Sequence, residues 1–203
     1  MQFLPNALTI FRIVLVPVFA LLFVLPGDGA RIAAFVVFCL AGVSDALDGA
    51  LARRYQASSD FGRMLDPIAD KVLVAVALML IVAEGTVQEF NFTVGLHSLL
   101  RLVPALIILA REILVSGLRE FLAGAGVSVR VTTIAKFKTA IQMLAIGAMI
   151  LGPVVDKFIP GALYIAYITL WVAAALTVYT GYIYFRAGLK HVGGPGSPPR
   201  KAL

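Results

Sequence analysis

The stretch from Ser44 to Lys71 reads SDALDGALARRYQASSDFGRMLDPIADK and sets four acidic residues among apolar ones. Asp45 and Asp48 are three positions apart, and Asp66 and Asp70 are four positions apart. At about 3.6 residues per turn, the two members of each pair share one face of a helix. A short connection makes the two helices antiparallel neighbours. The pattern therefore predicts two helices whose four carboxylates face one another at one end of the pair.

The chain around this stretch is too apolar for an ordinary cytosolic domain. Hydrophobic residues make up 61% of the 203 residues and charged residues 14%, and the mean hydropathy is +0.97. Soluble domains are roughly 45–50% apolar and about 25% charged, and disordered chains are less apolar still. The single cysteine, Cys39, excludes an internal disulfide and a cysteine-based zinc site. The composition indicates an integral membrane protein.

Six apolar runs are each long enough for a helix that crosses a hydrocarbon core of about 30 Å. We therefore predict an all-α integral membrane fold, a six-transmembrane-helix bundle formed by residues 1–187. Residues 188–203 are rich in glycine and proline, and we expect them to form a flexible cytoplasmic tail. The predicted spans are 9–25, 31–54, 66–84, 98–124, 132–151 and 161–187.

The basic residues predict the orientation of these helices. With a cytoplasmic N-terminus and six alternating spans, 14 of the 17 Lys and Arg residues fall at cytoplasmic ends, leaving Arg31, Arg101 and Lys157 on the other side. Cytoplasmic loops of membrane proteins carry such an excess. We expect both termini in the cytoplasm and the protein in the cell (inner) membrane. The net charge of +6 then serves orientation and contact with membrane lipid, and no nucleic-acid partner is expected.

The four acidic residues predict a site for cations. Carboxylates on converging faces repel one another unless positive charge lies between them, and Arg53 and Lys71 supply too little of it. Oxygen ligands without nearby His or Cys select hard ions such as Mg²⁺ or Mn²⁺. A pair of such ions assists transfer reactions at phosphorus. Solvated acids that flank a loop are the simpler alternative.

The same stretch resembles the signature of the CDP-alcohol phosphatidyltransferases. The pattern is Asp45-x2-Asp48-Gly49-x2-Ala52-Arg53-x8-Gly62-x3-Asp66-x3-Asp70, and every fixed position has its expected spacing. The resemblance implies a six-helix membrane enzyme, usually a homodimer, with a site open to the cytoplasm and two divalent cations, Mg²⁺ or Mn²⁺. It also implies that the metal ligands are Asp45, Asp48, Asp66 and Asp70, that Asp70 is the catalytic base, and that CDP is surrounded by Gly49, Ala52, Arg53 and Gly62.

Further stretches resemble one subfamily, the phosphatidylglycerophosphate synthases. They are residues 5–12 (PNALTIFR), 65–71 (LDPIADK), 110–120 (AREILVSGLRE) and 136–142 (KFKTAIQ). This resemblance implies CDP-diacylglycerol and glycerol 3-phosphate as the two substrates.

Glycerol 3-phosphate carries nearly two negative charges, so its pocket requires converging cations. Charged residues within a membrane usually face a polar cavity, although ion pairing along a helix and orientation signals are the simpler explanation. The candidates for binding the acceptor phosphate are Arg111, Arg119, Lys136 and Lys138, with Thr9 and Arg12 closing the same cavity from the first span.

The leading prediction is transfer of the phosphatidyl group from CDP-diacylglycerol to sn-glycerol 3-phosphate, with release of CMP. Relatives in the same family use serine, inositol phosphate or phosphatidylglycerol, so another acceptor is the first alternative. An ion-coupled transporter is a second, but the sequence has no internal repeat and its acids cluster at one end. A prenyl-transferring enzyme would have more spans and two distant acidic motifs.

Overall fold

A computed structural model describes the backbone of residues 3–55, 60–87, 95–124 and 133–192, and these residues form six α-helices without a strand. The helices are α1 (Phe3–Val24), α2 (Asp28–Tyr55), α3 (Asp60–Val87), α4 (Leu96–Gly124), α5 (Thr133–Val155) and α6 (Ala162–Val192). Within these ranges the described side chains exclude those of residues 3–8, 45–55, 60–67, 70, 85–87, 96–97, 133–136, 187 and 189–192. The predicted all-α fold is confirmed.

The helices differ from the predicted spans mainly at their ends. Helix α1 begins at Phe3 and α3 at Asp60, each six residues before the predicted span. Helix α6 continues to Val192, so the predicted tail boundary at residue 188 lies inside a helix. Hydropathy identifies the part of a helix that fits the hydrocarbon, and polar turns extend the same helix beyond that part.

Two helical segments are apolar and long enough to cross a membrane, judged by length and composition of the described residues. They are Phe137–Val155 and Ala162–Arg186, and Thr9–Val24 is a shorter apolar helix. Each helix also exposes large apolar side chains, such as Leu21 of α1 and Leu114 of α4, which are 64% and 72% exposed. Six crossings and cytoplasmic termini remain predictions.

Helix α3 is central, because its described residues contact α1, α2, α4 and α5. Helices α2 and α5 pack closely at Gly42, where the end of the Met143 side chain occupies the space beside the glycine: a Cβ atom added to Gly42 would lie 2.8 Å from Met143 Cε. Every helix contributes at least one side chain to the core that is no more than 2% exposed, including Phe19, Phe38, Leu78, Ile108, Ile146 and Leu170.

The short connections bring the signature to one end of the bundle. Gly27 has a φ of 105° in the turn between α1 and α2, a conformation that favours glycine. Only residues 56–59 separate α2 from α3. The last turns of α2 and the first turns of α3 therefore share one end, which we call the carboxylate end.

An ionic cluster joins three helices at the opposite end. Glu84 Oε2 accepts a hydrogen bond from Arg31 Nη2 at 2.6 Å and another from Arg101 Nη1 at 3.4 Å. The side chains of Arg31 and Arg101 are only 10% and 8% exposed. We call these three residues the Glu84 cluster.

The two arginines of this cluster also contact the other three helices. Arg31 Nε donates to the carbonyl oxygen of Ile150 in α5 at 2.7 Å, and Arg101 Nε donates to the Tyr167 hydroxyl of α6 at 3.1 Å. The Arg31 guanidinium carbon lies 3.9 Å from the centre of the Phe23 ring in α1, within the range of a cation–π contact. One polar network thus contacts all six helices.

Candidate functional site

The two halves of the acidic signature lie in helices that contact each other. Asp45 and Asp48 belong to α2, and Asp66 and Asp70 belong to α3, so both predicted pairs have helical spacing. The four side chains lie outside the described residues, and so do those at the predicted CDP positions Gly49, Ala52, Arg53 and Gly62. Their roles remain predictions. Among the side chains that are described, no cluster of His, Cys, Asp and Glu could hold a metal ion.

Two polar side chains of α1 are buried in the bundle near this end. Thr9 and Arg12 are each 1% exposed, and α1 packs against α2 and α3. Arg12 is nine residues after the start of α1, and Asp70 is ten residues after the start of α3. A buried guanidinium requires negative charge nearby. The predicted carboxylates of the neighbouring helices would meet this requirement of Arg12.

A second ionic cluster joins α4, α5 and α6. Glu112 Oε1 accepts hydrogen bonds from Arg111 Nη1 at 3.1 Å and from Lys138 Nζ. Arg111 Nη2 donates to Thr180 Oγ1 at 3.1 Å. The side chains of Arg111, Glu112 and Lys138 are 13%, 18% and 5% exposed. We call these four residues the Glu112 cluster.

The Glu112 cluster has a donor that its described protein partners leave unused. Its two cationic side chains both contact the Glu112 carboxylate. Arg111 Nε is shielded from solvent and has no hydrogen-bond acceptor among the described residues. A buried donor of this kind is costly unless a further group binds it. An anion that enters between Arg111 and Lys138 would supply both charge and acceptors.

Helix α6 makes room for the Arg111 side chain at Gly181. A Cβ atom added to Gly181 would lie 3.0 Å from Arg111 Cγ and 3.4 Å from its Nε. The missing side chain lets the arginine cross the surface of α6 to reach Thr180. Gly181 therefore leaves the space that the Arg111 side chain occupies.

Two of the predicted phosphate ligands, Arg111 and Lys138, are brought together by the structure. Arg119 is exposed on α4, two turns after Arg111, and forms no ion pair with another described residue. The Lys136 side chain is outside the described residues. The structure therefore groups two of the four candidates, and the other two remain predictions.

The sequence did not identify every member of the Glu112 cluster. The sequence pattern predicts no phosphate contact for Glu112 and does not indicate Thr180 or Gly181. Thr180 follows Arg111 by 69 positions, and no periodic pattern connects residues so far apart. The sequence signal for this contact is Thr180-Gly181, a small polar residue followed by glycine within a largely apolar span.

An apolar groove lies on the outer surface between α2 and α5. Its volume is about 580 Å³. Gly42 and Val43 line it three and two residues before Asp45, and Val155 lines it at the far end of α5. The groove thus extends from the carboxylate end along the apolar length of the bundle.

Comparisons with known proteins agree on one family. The family model for CDP-alcohol phosphatidyltransferase matches residues 2–179. A protein of Rickettsia bellii (strain RML369-C) is 45% identical over 188 residues, which cover 93% of this chain and 96% of the relative. Proteins of Shigella flexneri and Pseudomonas fluorescens are 40% and 41% identical, over 92% and 93% of this chain and 96% and 91% of their own lengths.

All three relatives are named CDP-diacylglycerol–glycerol-3-phosphate 3-phosphatidyltransferase. The family match covers the acidic signature, the buried α1 residues and most of the Glu112 cluster. This chain belongs to the CDP-alcohol phosphatidyltransferase family.

Proposed function

We propose that this chain is the enzyme that transfers a phosphatidyl group from CDP-diacylglycerol to sn-glycerol 3-phosphate, releasing CMP. The names of relatives that are 40–45% identical support the reaction. The observation in the structure that carries it is the Glu112 cluster, where Arg111 and Lys138 converge and Arg111 Nε has no acceptor among the described residues. This buried, unused donor beside a second cationic side chain suits an acceptor with a phosphate. Serine, which lacks a phosphate, would leave it unused.

The family and the two apolar helices indicate a membrane protein. We propose that all six helices cross the cell (inner) membrane, with both termini and the carboxylate end in the cytoplasm. Water-soluble glycerol 3-phosphate then enters from the cytoplasm, and lipid approaches from the side. Assembly as a homodimer is part of the same proposal and follows from the family resemblance.

The carboxylate end has the donor chemistry for divalent cations. Four carboxylates on two contacting helices, without nearby His, suit Mg²⁺ or Mn²⁺, and the family is generally dependent on divalent metals. We propose Asp45, Asp48, Asp66 and Asp70 as the ligands of two ions. When bound, such ions neutralise a diphosphate and make its phosphorus more electrophilic.

The protein side chains would orient both substrates and move one proton. Gly49, Ala52 and Gly62 leave space for the CDP group, and Arg53 binds its phosphate oxygens. Asp70 accepts the proton from the primary hydroxyl of glycerol 3-phosphate. That hydroxyl oxygen then forms a bond to the lipid-linked phosphorus as the bond from this phosphorus to CMP breaks. CMP leaves with the oxygen and electron pair of the broken bond.

The Glu112 cluster would hold the other end of the acceptor. Its phosphate binds Arg111 and Lys138, and exposed Arg119 together with Lys136 adds positive potential at the entrance. Thr9 and Arg12 close the cavity from α1. Charge-assisted hydrogen bonds of this kind are about twice as strong as neutral ones.

The groove between α2 and α5 supports a lipid substrate. It begins two residues from Asp45 and is lined almost wholly by apolar side chains. An acyl chain of CDP-diacylglycerol in this groove would leave the diphosphate beside the carboxylate end. The reacting groups would then stay at the interface while the chains remain in lipid.

The test is an acceptor panel with purified protein in detergent. CMP release is measured with CDP-diacylglycerol, Mg²⁺ or Mn²⁺, and in turn glycerol 3-phosphate, serine, inositol phosphate and phosphatidylglycerol. We expect turnover with glycerol 3-phosphate only, loss of turnover on chelation, and recovery when the metal is restored. Asp70→Asn should abolish turnover in a protein that remains monodisperse. Preference for serine would contradict the proposal.

A further inference from the structure

Gln142 of α5 carries a buried side-chain amide. Gln142 is 3% exposed. Its Oε1 atom is shielded from solvent and accepts no hydrogen bond from the described residues. Buried polar side chains are nearly always hydrogen-bonded, because an unsatisfied group loses its water without compensation. An amide in this state within an apolar helix is typical of a group that binds something the protein itself does not supply.

The position of Gln142 connects it to the acceptor site. It follows Lys138 by four residues and so lies on the same helix face, one turn further into the bundle. It is nine residues after the start of α5, and Asp70 is ten residues after the start of α3. Helices α3 and α5 contact each other. Gln142 is thus placed between the level of the phosphate-binding lysine and that of the proposed base.

We propose that Gln142 binds the secondary hydroxyl of glycerol 3-phosphate and so selects a three-carbon acceptor that carries this group. One helical turn, about 5.4 Å, is close to the length of the glycerol chain from its phosphate to its far carbon. With the phosphate on Lys138 and Arg111, the glycerol chain spans the distance to the next turn of α5, and its middle carbon lies within reach of the Gln142 amide. The amide oxygen accepts from the hydroxyl, and the amide nitrogen donates to it. This inference rests on the proposed function.

Thr177 of α6 is the other buried side chain whose oxygen has no partner among the described residues. A threonine hydroxyl can rotate to a carbonyl of its own helix, as Thr169 and Thr180 do. The Gln142 amide oxygen has no such outlet, because it can only accept a hydrogen bond and the backbone N–H groups within a helix already donate to carbonyl oxygens of that helix. Gln142 is therefore the residue on which the inference rests.

The experiment compares two acceptors that differ by one hydroxyl group. CMP release is measured with glycerol 3-phosphate and with 3-hydroxypropyl phosphate, which keeps the phosphate and the primary hydroxyl but lacks the secondary one. We expect the unaltered protein to prefer glycerol 3-phosphate by about 10- to 100-fold in kcat/KM. In Gln142→Met this preference should fall to about threefold or less, mainly through a higher KM for glycerol 3-phosphate, with the KM for CDP-diacylglycerol unchanged.

Met149→Leu is the matched control, because Met149 is buried on the same helix without a polar atom; it should retain the preference. Gln142→Asn, which shortens the amide by one methylene, should give an intermediate preference. Equal use of both acceptors by the unaltered protein overturns the inference without any variant. A preference that persists in Gln142→Met and Gln142→Asn also overturns it. Absence of turnover with glycerol 3-phosphate would instead contradict the proposed function.

Discussion

The Glu84 cluster and the Glu112 cluster lie toward opposite ends of the molecule, and each contains two basic side chains and one glutamate. In each, two basic side chains from different helices share one oxygen of a single glutamate. In the Glu84 cluster both guanidinium Nε atoms donate to protein acceptors. In the Glu112 cluster Arg111 Nε has no acceptor among the described residues.

Burial does not explain this difference. The basic side chains are 10% and 8% exposed in the Glu84 cluster, and 13% and 5% exposed in the Glu112 cluster. What differs, among the described residues, is that the Nε donors of Arg31 and Arg101 have protein acceptors and that of Arg111 has none. We infer that a saturated cluster holds helices together, whereas an unsaturated one of equal charge is prepared for an anion.

The largest expected effect is on stability, at the saturated cluster. Glu84→Gln leaves two buried guanidinium groups without a counter-charge, which should destabilise the protein by about 3 kcal/mol. Thermal unfolding in detergent micelles measures this loss. Glu120→Gln is the control, because Glu120 is an exposed acid of α4. If Glu84→Gln lowers kcat/KM of the folded protein without changing its melting temperature, the assigned roles are wrong.

The next effect is on acceptor binding, at the unsaturated cluster. Lys138→Gln and Arg111→Gln should each lower kcat/KM for glycerol 3-phosphate by about 10- to 150-fold, since hydrogen bonds to charged groups contribute roughly 1.5–3 kcal/mol. The KM for CDP-diacylglycerol should change little. Each substrate is varied separately at saturating concentrations of the other.

Arg119→Gln sharpens that measurement, because Arg119 is exposed and screened by solvent. Its loss should be smaller than the loss in Lys138→Gln. If Lys138→Gln lowered kcat/KM equally for both substrates, Lys138 would support the folded structure and would not bind the acceptor.

A smaller effect should follow from filling the space at Gly181. The side chain of Gly181→Val would press on Arg111 Cγ, which lies 3.0 Å from the position of an added Cβ. We expect the acceptor KM to rise about three- to tenfold, equivalent to about 1 kcal/mol, as Arg111 shifts from Thr180. Gly117→Val is the control, because nothing lies within 4 Å of an added Cβ at Gly117. An unchanged KM in Gly181→Val would show that Arg111 does not need its present path.

The smallest effect concerns an exposed ion pair at the same end as the Glu84 cluster. Lys157 Nζ lies 2.6 Å from Asp28 Oδ1, but the two side chains are 59% and 46% exposed. Lys157→Ala should therefore destabilise the protein by less than about 1 kcal/mol. Comparison with Glu84→Gln under identical unfolding conditions separates buried from exposed pairing. A loss as large as that of Glu84→Gln would remove the distinction.

The sequence predicted the six helices and the helical setting of the acidic signature, because both depend on local periodicity. Apolar runs of sufficient length identify the six helices, and spacings of three and four place acids on one helix face. Helix ends were predicted less well: α6 passes the predicted boundary at residue 188 and reaches Val192.

Pairing between distant helices could not be read in the same way. Arg31 and Arg101 appeared only as orientation signals, yet both contact Glu84, which is 53 and 17 positions away. Periodicity indicates which residues share a face, but it does not indicate which neighbouring helix that face meets. For the same reason, Arg111 and Lys138 could be proposed together while Thr180 could not.

The contacts of the Glu84 cluster with every helix have a consequence for biosynthesis. Helices leave the ribosome in chain order, and α6, which carries Tyr167, emerges last. Until then the Arg101 Nε donor lacks its acceptor, and the bundle holds a polar group that hydrocarbon does not tolerate. We therefore expect a chain truncated after α5 to be recognised by membrane proteases as incomplete, even though its acidic signature and both lysines of α5 are already in place. Completion of the bundle would thus be checked at the end of the molecule opposite the carboxylate end.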